Sequence, residues 1–459
     1  MTASISWKSR RPELALLLLG VLLRLAAVIT VDPMWGYDAD GHYEYAQWFT
    51  NHWTPPPVNA FFHAFHSPLY YGFGGLILRA GGHVSALRFF SVLLGCGRLA
   101  LLWLGLELYL PGRRIARLVA MGLAAVLPVA LFTDVTLGGE ALQNFLGVVA
   151  LLLAPRALRA QGRERWRTFG YLGLVLGLCM LTKISGIALV AAVGLAVLVQ
   201  ALSENRTPTE RFRLVAPFGL TLAVGLVVWS PVLVRNVRGA GTPFPSSFDT
   251  SEANQMEPVK NKPVFDRRSL GYVLLGSWDI YERPFCPSAQ QPEPRFFPVL
   301  LASTFGDYLN YESQRRSGRP GELMVNGRPL QHREVLVPWR LSVIGGTAIA
   351  LAAFGCWLAC MRTLWRRREV ERLPLLLAPP LAIAALLYFT IVHPFDHLGV
   401  IKSAYVQFAG APVYGLFGLA VDSLWSRGWR GRALGGIGLA GLGLVAFYTV
   451  LCRVLPVVP

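Results

Sequence analysis

Charge is scarce in this chain. Asp, Glu, Lys and Arg make up only 15% of its 459 residues against 54% hydrophobic, where a soluble globule carries about a quarter charged residues. That deficit excludes a water-soluble fold. Cysteine is sparse as well: Cys96, Cys179, Cys356, Cys360 and Cys452 lie in apolar runs, and Cys286 alone sits in a polar loop. The lack of a second loop cysteine argues against an intramolecular disulfide there, and Cys356 and Cys360 lack the context of a zinc site. Internal repeats and low-complexity tracts are missing. The net charge of +17, from 43 basic and 26 acidic residues, comes with no basic, aromatic-interleaved groove, which argues against a nucleic-acid partner.

What the chain has in quantity is apolar sequence, in runs long enough to cross a hydrocarbon core about 30 Å thick. Spans are expected near 14–31, 86–109, 118–132, 140–155, 169–183, 186–202, 214–234, 340–361, 374–392, 404–421 and 434–455. The first follows a basic start and precedes no clear cleavage site, so it reads as an uncleaved span. About half of the basic residues fall in six short clumps, at 8–11, 113–117, 156–167, 206–213, 362–372 and 427–432. Basic short loops mark the cytoplasmic side. Eleven crossings, with the N-terminus inside, place all six clumps there.

Two segments constrain that count. The run 68–78 is too short to span and reads as an interfacial or re-entrant helix. The run 169–202 holds a single Lys, and as one helix its 34 residues would reach about 51 Å, too long for one crossing. It must go out and return. The natural break is Thr182-Lys183-Ile184-Ser185-Gly186, which puts Lys183 at the outer end of a helical hairpin. The outer surface then consists of 32–85, 133–139, 183–186, 235–339 and 393–403. Within 235–339, the apolar pieces 270–278 and 296–305 suggest helices lying on the membrane surface. The expected architecture is all-α and polytopic: a membrane module over 1–234, an outer cap over 235–339 and a C-terminal set of spans over 340–459.

Acids and histidines gather on the outer face. Asp38, Asp40, His42 and Glu44 follow the first span, and His52, His63 and His66 lie in the same loop. Asp38 and Asp40 could serve as a general base or, with His42, hold a divalent ion; equally, either could cap an interfacial helix. Lys183 between apolar helices needs an anionic partner or must snorkel to headgroups. Arg24, Arg88 and Arg98 pose the same question, with Arg88 placed to meet a phosphate and Arg24 to form a structural pair. His66-Ser67-Pro68-Leu69-Tyr70-Tyr71 opens the short helix with a proline in its first turn, where His66 could help bind an anion. Asp134 and Glu140 form a second acidic outer segment. Arg235 closes the seventh span and could face a phosphate or anchor the helix.

The acidic pair after the first span, His66-Ser67-Pro68-Leu69-Tyr70-Tyr71, Thr133-Asp134-Val135 with Glu140, Thr182-Lys183, Trp229-Ser230-Pro231 with Arg235-Asn236, and Lys402-Ser403-Ala404-Tyr405 together resemble the GT-C glycosyltransferases. The nearest branch resembles the protein O-mannosyltransferases and aminoarabinose transferases, well over 1–236 and loosely beyond. The resemblance implies a polyprenyl-phosphate sugar donor, transfer on the extracytoplasmic face of the cytoplasmic membrane, and a hydroxyl acceptor on a lipid, glycan or protein. It makes Asp38 the base of an inverting displacement, with Asp40 the alternative, and has Lys183, His66, Arg235 and Arg88 supply positive charge to the donor phosphate. Asp134, Glu140, His42, Glu44 and Tyr70 are candidates for the acceptor, the sugar or a second acidic site. Asp38-Ala39-Asp40 departs from the family's usual Asp-Glu, and Ser67-Pro68 from its paired prolines, which leaves open both the base and whether a divalent metal binds. The rival readings are a transporter or flippase of lipid-linked sugars, and a ligase or polymerase of lipid-linked glycans. A transporter would concentrate polar residues at the midplane and often repeat its halves; here they gather at the outer interface.

Overall fold

The computed structural model describes residues 7–30, 33–34, 36, 38–202, 207–250, 259, 261–274, 276, 278–282, 295–306, 324–325, 328–329, 336–367, 369–394 and 401–450. Cys286, Cys452 and most of the stretch between 251 and 335 lie outside them. The described residues are almost all helical, with one short strand pairing, Met324–Val325 against Arg328–Pro329.

A long first helix, α1 (Trp7–Thr30), leads to two short ones packed on each other, α2 (Ala39–Asn51) and α3 (Leu69–Arg79). With eleven residues α3 is about 17 Å long and cannot cross, as its sequence implies. Then come α4 (Val84–Tyr109), α5 (Arg114–Val126), α6 (Pro128–Val135), α7 (Glu140–Arg159), α8 (Gly162–Thr182), α9 (Ile187–Leu202) and α10 (Pro208–Ala240). Short helices α11 (Leu270–Leu274), α12 (Asp279–Glu282) and α13 (Phe296–Phe305) precede α14 (Leu336–Arg367), α15 (Leu373–Val392), α16 (Ala411–Trp425) and α17 (Gly428–Thr449). Among the described residues, eight helices are long and apolar enough to cross a membrane, and two bent pairs raise that to ten. The expected eleventh span is α8, whose 21 residues suffice in length but begin with Arg163, Glu164, Arg165 and Arg167.

Ion pairs tie several of the basic loops to neighbouring helix ends. Arg113 at the head of α5 pairs with Asp422 of α16, Arg117 with Glu13 of α1, and Arg159 of α7 with Glu371 before α15. These three contacts join residues 104 to 309 apart in sequence.

The run 118–132 does not form one straight span. Pro128 lacks the N–H that would continue the helix, and α5 and α6 meet at a 52° bend. Backbone carbonyls freed inside a bilayer must find partners within the protein. Arg24 Nη1 donates to the Ala125 carbonyl at 3.4 Å, and Thr449 Oγ1 donates to that of Val126 at 2.7 Å. Arg24 reaches this position because its guanidinium is held by Asp134 on α6, at 2.7 Å, and Asp134 also takes Arg98 of α4 at 2.7 Å. Asp134 thus lies wholly buried in a helix, and the expectation of an outer acidic loop there is corrected: it clamps α1, α4 and α6 together. The other bend, 77°, separates the 3-10 turn Ser403–Ala409 from α16. That turn lies so close to α7 that a side chain at Gly147 would strike the Phe408 carbonyl.

The apolar piece 296–305 does form a helix, and α13 buries Phe296, Val299 and Leu300 in a cluster with Val343 and Leu386. Within the piece 270–278, the described helix is Leu270–Leu274.

Removing one partner of a buried ion pair leaves an uncompensated charge and costs about 3–5 kcal/mol. Asp134→Asn should therefore lower the thermal unfolding midpoint of the detergent-solubilised protein sharply. An unchanged midpoint would show that Asp134 does not hold the bend.

Candidate active site

Four elements reach one end of the bundle: the exit of α1, the turn before α7, the break between α8 and α9, and the segment 401–409. The loop 52–68, with α2 and α3, closes over them. The break falls where the length of the apolar run requires it. Thr182 ends α8, Lys183 is extended at φ −158°, and a 3-10 turn over Ile184–Gly186 starts the next helix.

Asp38 occupies the cap position of α2, yet its side chain makes no capping hydrogen bond. Its backbone is left-handed, φ 52° and ψ 34°, the only positive φ at a non-glycine among the described residues. Such a conformation costs about 1–3 kcal/mol and persists where the surroundings hold it. The capping alternative therefore fails, and the carboxylate turns elsewhere. It lies 3.8 Å from His63 Nε2 and 4.0 Å from Lys402 Nζ, with 45% of its side chain exposed. Burial alone would raise its pKa, but the His63 ring and the Lys402 charge beside it hold it well below the usual carboxylate range.

Three imidazoles stand beside it. His42, His63 and His66 each offer a ring nitrogen, and the three atoms lie within 4.8 Å of one another. Burial lowers His42 from 6.5 to about 4 and takes His66 well below its ordinary value, so both are neutral near pH 7. His42 Nδ1 shares a 2.8 Å hydrogen bond with the Tyr71 hydroxyl. His63 fits only because residue 41 is glycine: a Cβ there would come within 1.9 Å of the ring's Nδ1. Across the mouth, Lys183 pairs with Glu140 and stands 4.3 Å from the centre of the Tyr405 ring. The mouth thus collects two carboxylates, two ammonium groups and three histidines.

The other candidates lie elsewhere. Asp40 and Glu44 face outward from α2 and are exposed, so Asp40 does not join Asp38 and His42 in the grouping expected for a metal. Arg88 is buried, and its Nε donates to the Val135 carbonyl at 2.8 Å, supporting the turn into α7 rather than a phosphate. Arg235 donates to the Tyr45 hydroxyl and to the carbonyls of Phe65 and His66; it lies within α10 and ties down the loop that carries the histidines. Tyr70 shares a hydrogen bond with Ser91 Oγ at 2.8 Å, beneath the site. Sequence reasoning gave no role to His63, Lys402 or Tyr71. The spacing His63-Ala64-Phe65-His66 was the available signal, since residues three apart can turn two imidazoles to one side.

A site of ionised and histidine side chains at the mouth of a helical bundle, on an interfacial α2–α3 pair, is set in a GT-C fold. The family of dolichyl-phosphate-mannose-protein mannosyltransferases matches residues 66–234. The crystal structure of the Archaeoglobus fulgidus oligosaccharyltransferase is similar over 99% of this chain and 57% of its own length, with TM-score 0.57 and 17% identity. The oligosaccharyltransferase AglB from the same organism, in complex with an inhibitory peptide and a dolichol-phosphate, matches 97% of this chain and 56% of its own, with TM-score 0.50 and 17% identity. ArnT from Cupriavidus metallidurans, bound to undecaprenyl phosphate, matches 89% of this chain and 78% of its own at 15% identity, with TM-score 0.37. The chain therefore spans little more than half the length of the oligosaccharyltransferases whose fold it shares. No curated protein matches it by sequence.

Gly41→Ala should expel the His63 ring from its seat. Histidine modification by diethyl pyrocarbonate, located by mass spectrometry, should rise several-fold at His63 in that variant; equal labelling would contradict the packing.

Proposed function

We propose that the chain is a membrane glycosyltransferase that moves a sugar from a polyprenyl-phosphate donor to a hydroxyl acceptor, with Asp38 as the base. The observation that carries this reading is the Asp38 carboxylate itself, held in a strained left-handed backbone, half-exposed, between a histidine and Lys402. The family match over 66–234 and the shared fold support it. The sugar, the acceptor and the stereochemistry are part of the proposal. So is the orientation, which takes the basic loops as cytoplasmic and the site as extracytoplasmic.

In this mechanism the acceptor oxygen attacks the anomeric carbon on the face opposite the phosphate. The carbon–phosphate oxygen bond breaks, polyprenyl phosphate leaves with the bonding pair, and the acceptor proton passes to an Asp38 oxygen. A carboxylate with a low pKa is a weak base for a resting hydroxyl. It suffices when the transition state is oxocarbenium-like and the attacking hydroxyl becomes acidic late. The leaving phosphate gathers charge, and Lys183 and Lys402, on the same mouth, would stabilise it. Glu140 would hold the Lys183 ammonium in place between turnovers. Arg235 positions the loop through backbone carbonyls and takes no part in donor binding.

Steady-state kinetics with defined polyprenyl-phosphate donors tests the assignments. Asp38→Asn preserves size and should lower kcat by about 10²–10⁴, whereas full turnover in that variant would reject Asp38. A dead Asp40→Asn beside an active Asp38→Asn would move the role by two residues. Lys183→Met keeps much of the apolar stem and should lower kcat/KM for the donor by about 10- to 150-fold, the equivalent of a charge-assisted contact of about 1.5–3 kcal/mol. Wild-type efficiency in the Met variant would leave Lys183 as the partner of Glu140 alone.

A further inference from the structure

We propose that His42, His63 and His66 form a three-histidine site for one divalent transition metal of the zinc type. The three ring nitrogens come from two separate elements, α2 and the loop before α3, yet lie within 4.8 Å of one another. A tetrahedral zinc with bonds of about 2.0–2.1 Å holds its nitrogens about 3.3 Å apart, so ring rotations and a small shift of the loop would close the set. The imidazoles are buried or nearly so, and His42 and His66 are neutral near pH 7. Neutral lone pairs are what a metal requires of histidine.

The surroundings are built for ligation rather than for simple packing. When His42 Nδ1 carries its proton and donates it to the Tyr71 hydroxyl, 2.8 Å away, Nε2 is left as a bare lone pair, the arrangement by which outer partners orient ligating histidines. The His66 backbone is fixed from behind, its carbonyl accepting from both Tyr45 and Arg235. Gly41 leaves room for the His63 ring where any side chain would exclude it. Imidazole donors select zinc, cobalt, nickel and copper over magnesium and calcium, which take oxygen ligands. Three protein ligands leave a fourth position open, as in catalytic rather than structural sites.

Asp38 lies beside this set, 3.8 Å from His63. A dication there would add positive charge where a phosphate must depart, to a mouth in which Lys183 and Lys402 are otherwise balanced by Glu140 and Asp38. That use of the metal rests on the transferase reading; the metal site does not, and its stoichiometry is measured without any donor.

The test uses full-length protein purified without a histidine tag, stripped with a chelator and titrated with Co(II). The wild type should bind one equivalent and develop the visible bands of four-coordinate cobalt. His63→Ala and His66→Ala should each weaken binding by about 100-fold or more. His63→Cys should keep the metal and add a thiolate-to-cobalt charge-transfer band, a signature that a merely structural histidine would not produce. His52, whose Nδ1 lies 3.0 Å from the Trp48 carbonyl outside the set, should leave the titration unchanged when replaced by Ala. A wild type that takes up no cobalt, a His63→Ala variant with undiminished affinity, or a loss of binding in His52→Ala would overturn the ligand set. Should His63→Ala fail to fold, the His63→Cys spectrum decides, and one identical to the wild type overturns it.

Discussion

A chain that crosses hydrocarbon must satisfy its own backbone hydrogen bonds, so a helix can break inside the bundle only where another group takes up what the break releases. The arrangement of this molecule follows from where it meets that constraint. At the α5–α6 bend, Arg24 and Thr449 take the carbonyls of Ala125 and Val126. Arg24 is available there because Asp134 neutralises it, and Asp134 is shared with Arg98. Bent in this way, α6 delivers the turn that starts α7, and with it Glu140, to the same mouth as Lys183. The second bend, after the 403–409 turn, brings Lys402 and Tyr405 to that mouth. Both breaks thus lie behind the functional end and shape it.

The mouth sets one half-exposed carboxylate, Asp38 at 45%, among charges that are largely buried, Lys402 at 6%, Lys183 at 16% and Glu140 at 15%. The buried ion triad of Arg24, Arg98 and Asp134 instead joins α1, α4 and α6. At the mouth the balance is close: two ammonium groups against two carboxylates, with three histidines, two of them neutral near pH 7. A site so balanced attracts no anion strongly by itself, which is why a further positive charge matters to the departure of a phosphate.

Much of this was legible in the sequence, for physical reasons that differ from element to element. The α8–α9 break was readable because its apolar run is too long for one crossing and holds one polar cluster. The eleven-residue α3 was readable by being too short. The clumping of the basic residues marked the loops, and the long-range pairs Arg113–Asp422 and Arg159–Glu371 tie two of them to neighbouring helix ends. Asp134 was misplaced because Pro128 within an apolar run does not say whether a helix ends or bends, and a carboxylate near a span's end looks like a loop residue. Arg88 and Arg235 were read as phosphate ligands because a sequence shows an arginine's charge and not the backbone carbonyls it faces. His63 was passed over because its meaning lies in the ring of His42, twenty-one residues earlier, and in the absent side chain of Gly41.

The central claim is group transfer from a lipid carrier at the Asp38 mouth, and the most direct measurement separates transfer from movement of the carrier. Purified protein in liposomes, supplied with a panel of polyprenyl-phosphate sugars and hydroxyl acceptors, is assayed for released polyprenyl phosphate and, in parallel, for transbilayer movement of the intact donor. The account predicts acceptor-dependent release of polyprenyl phosphate and a glycoside of inverted anomeric configuration. Donor that crosses the bilayer intact, with no polyprenyl phosphate released from any member of the panel, would contradict it.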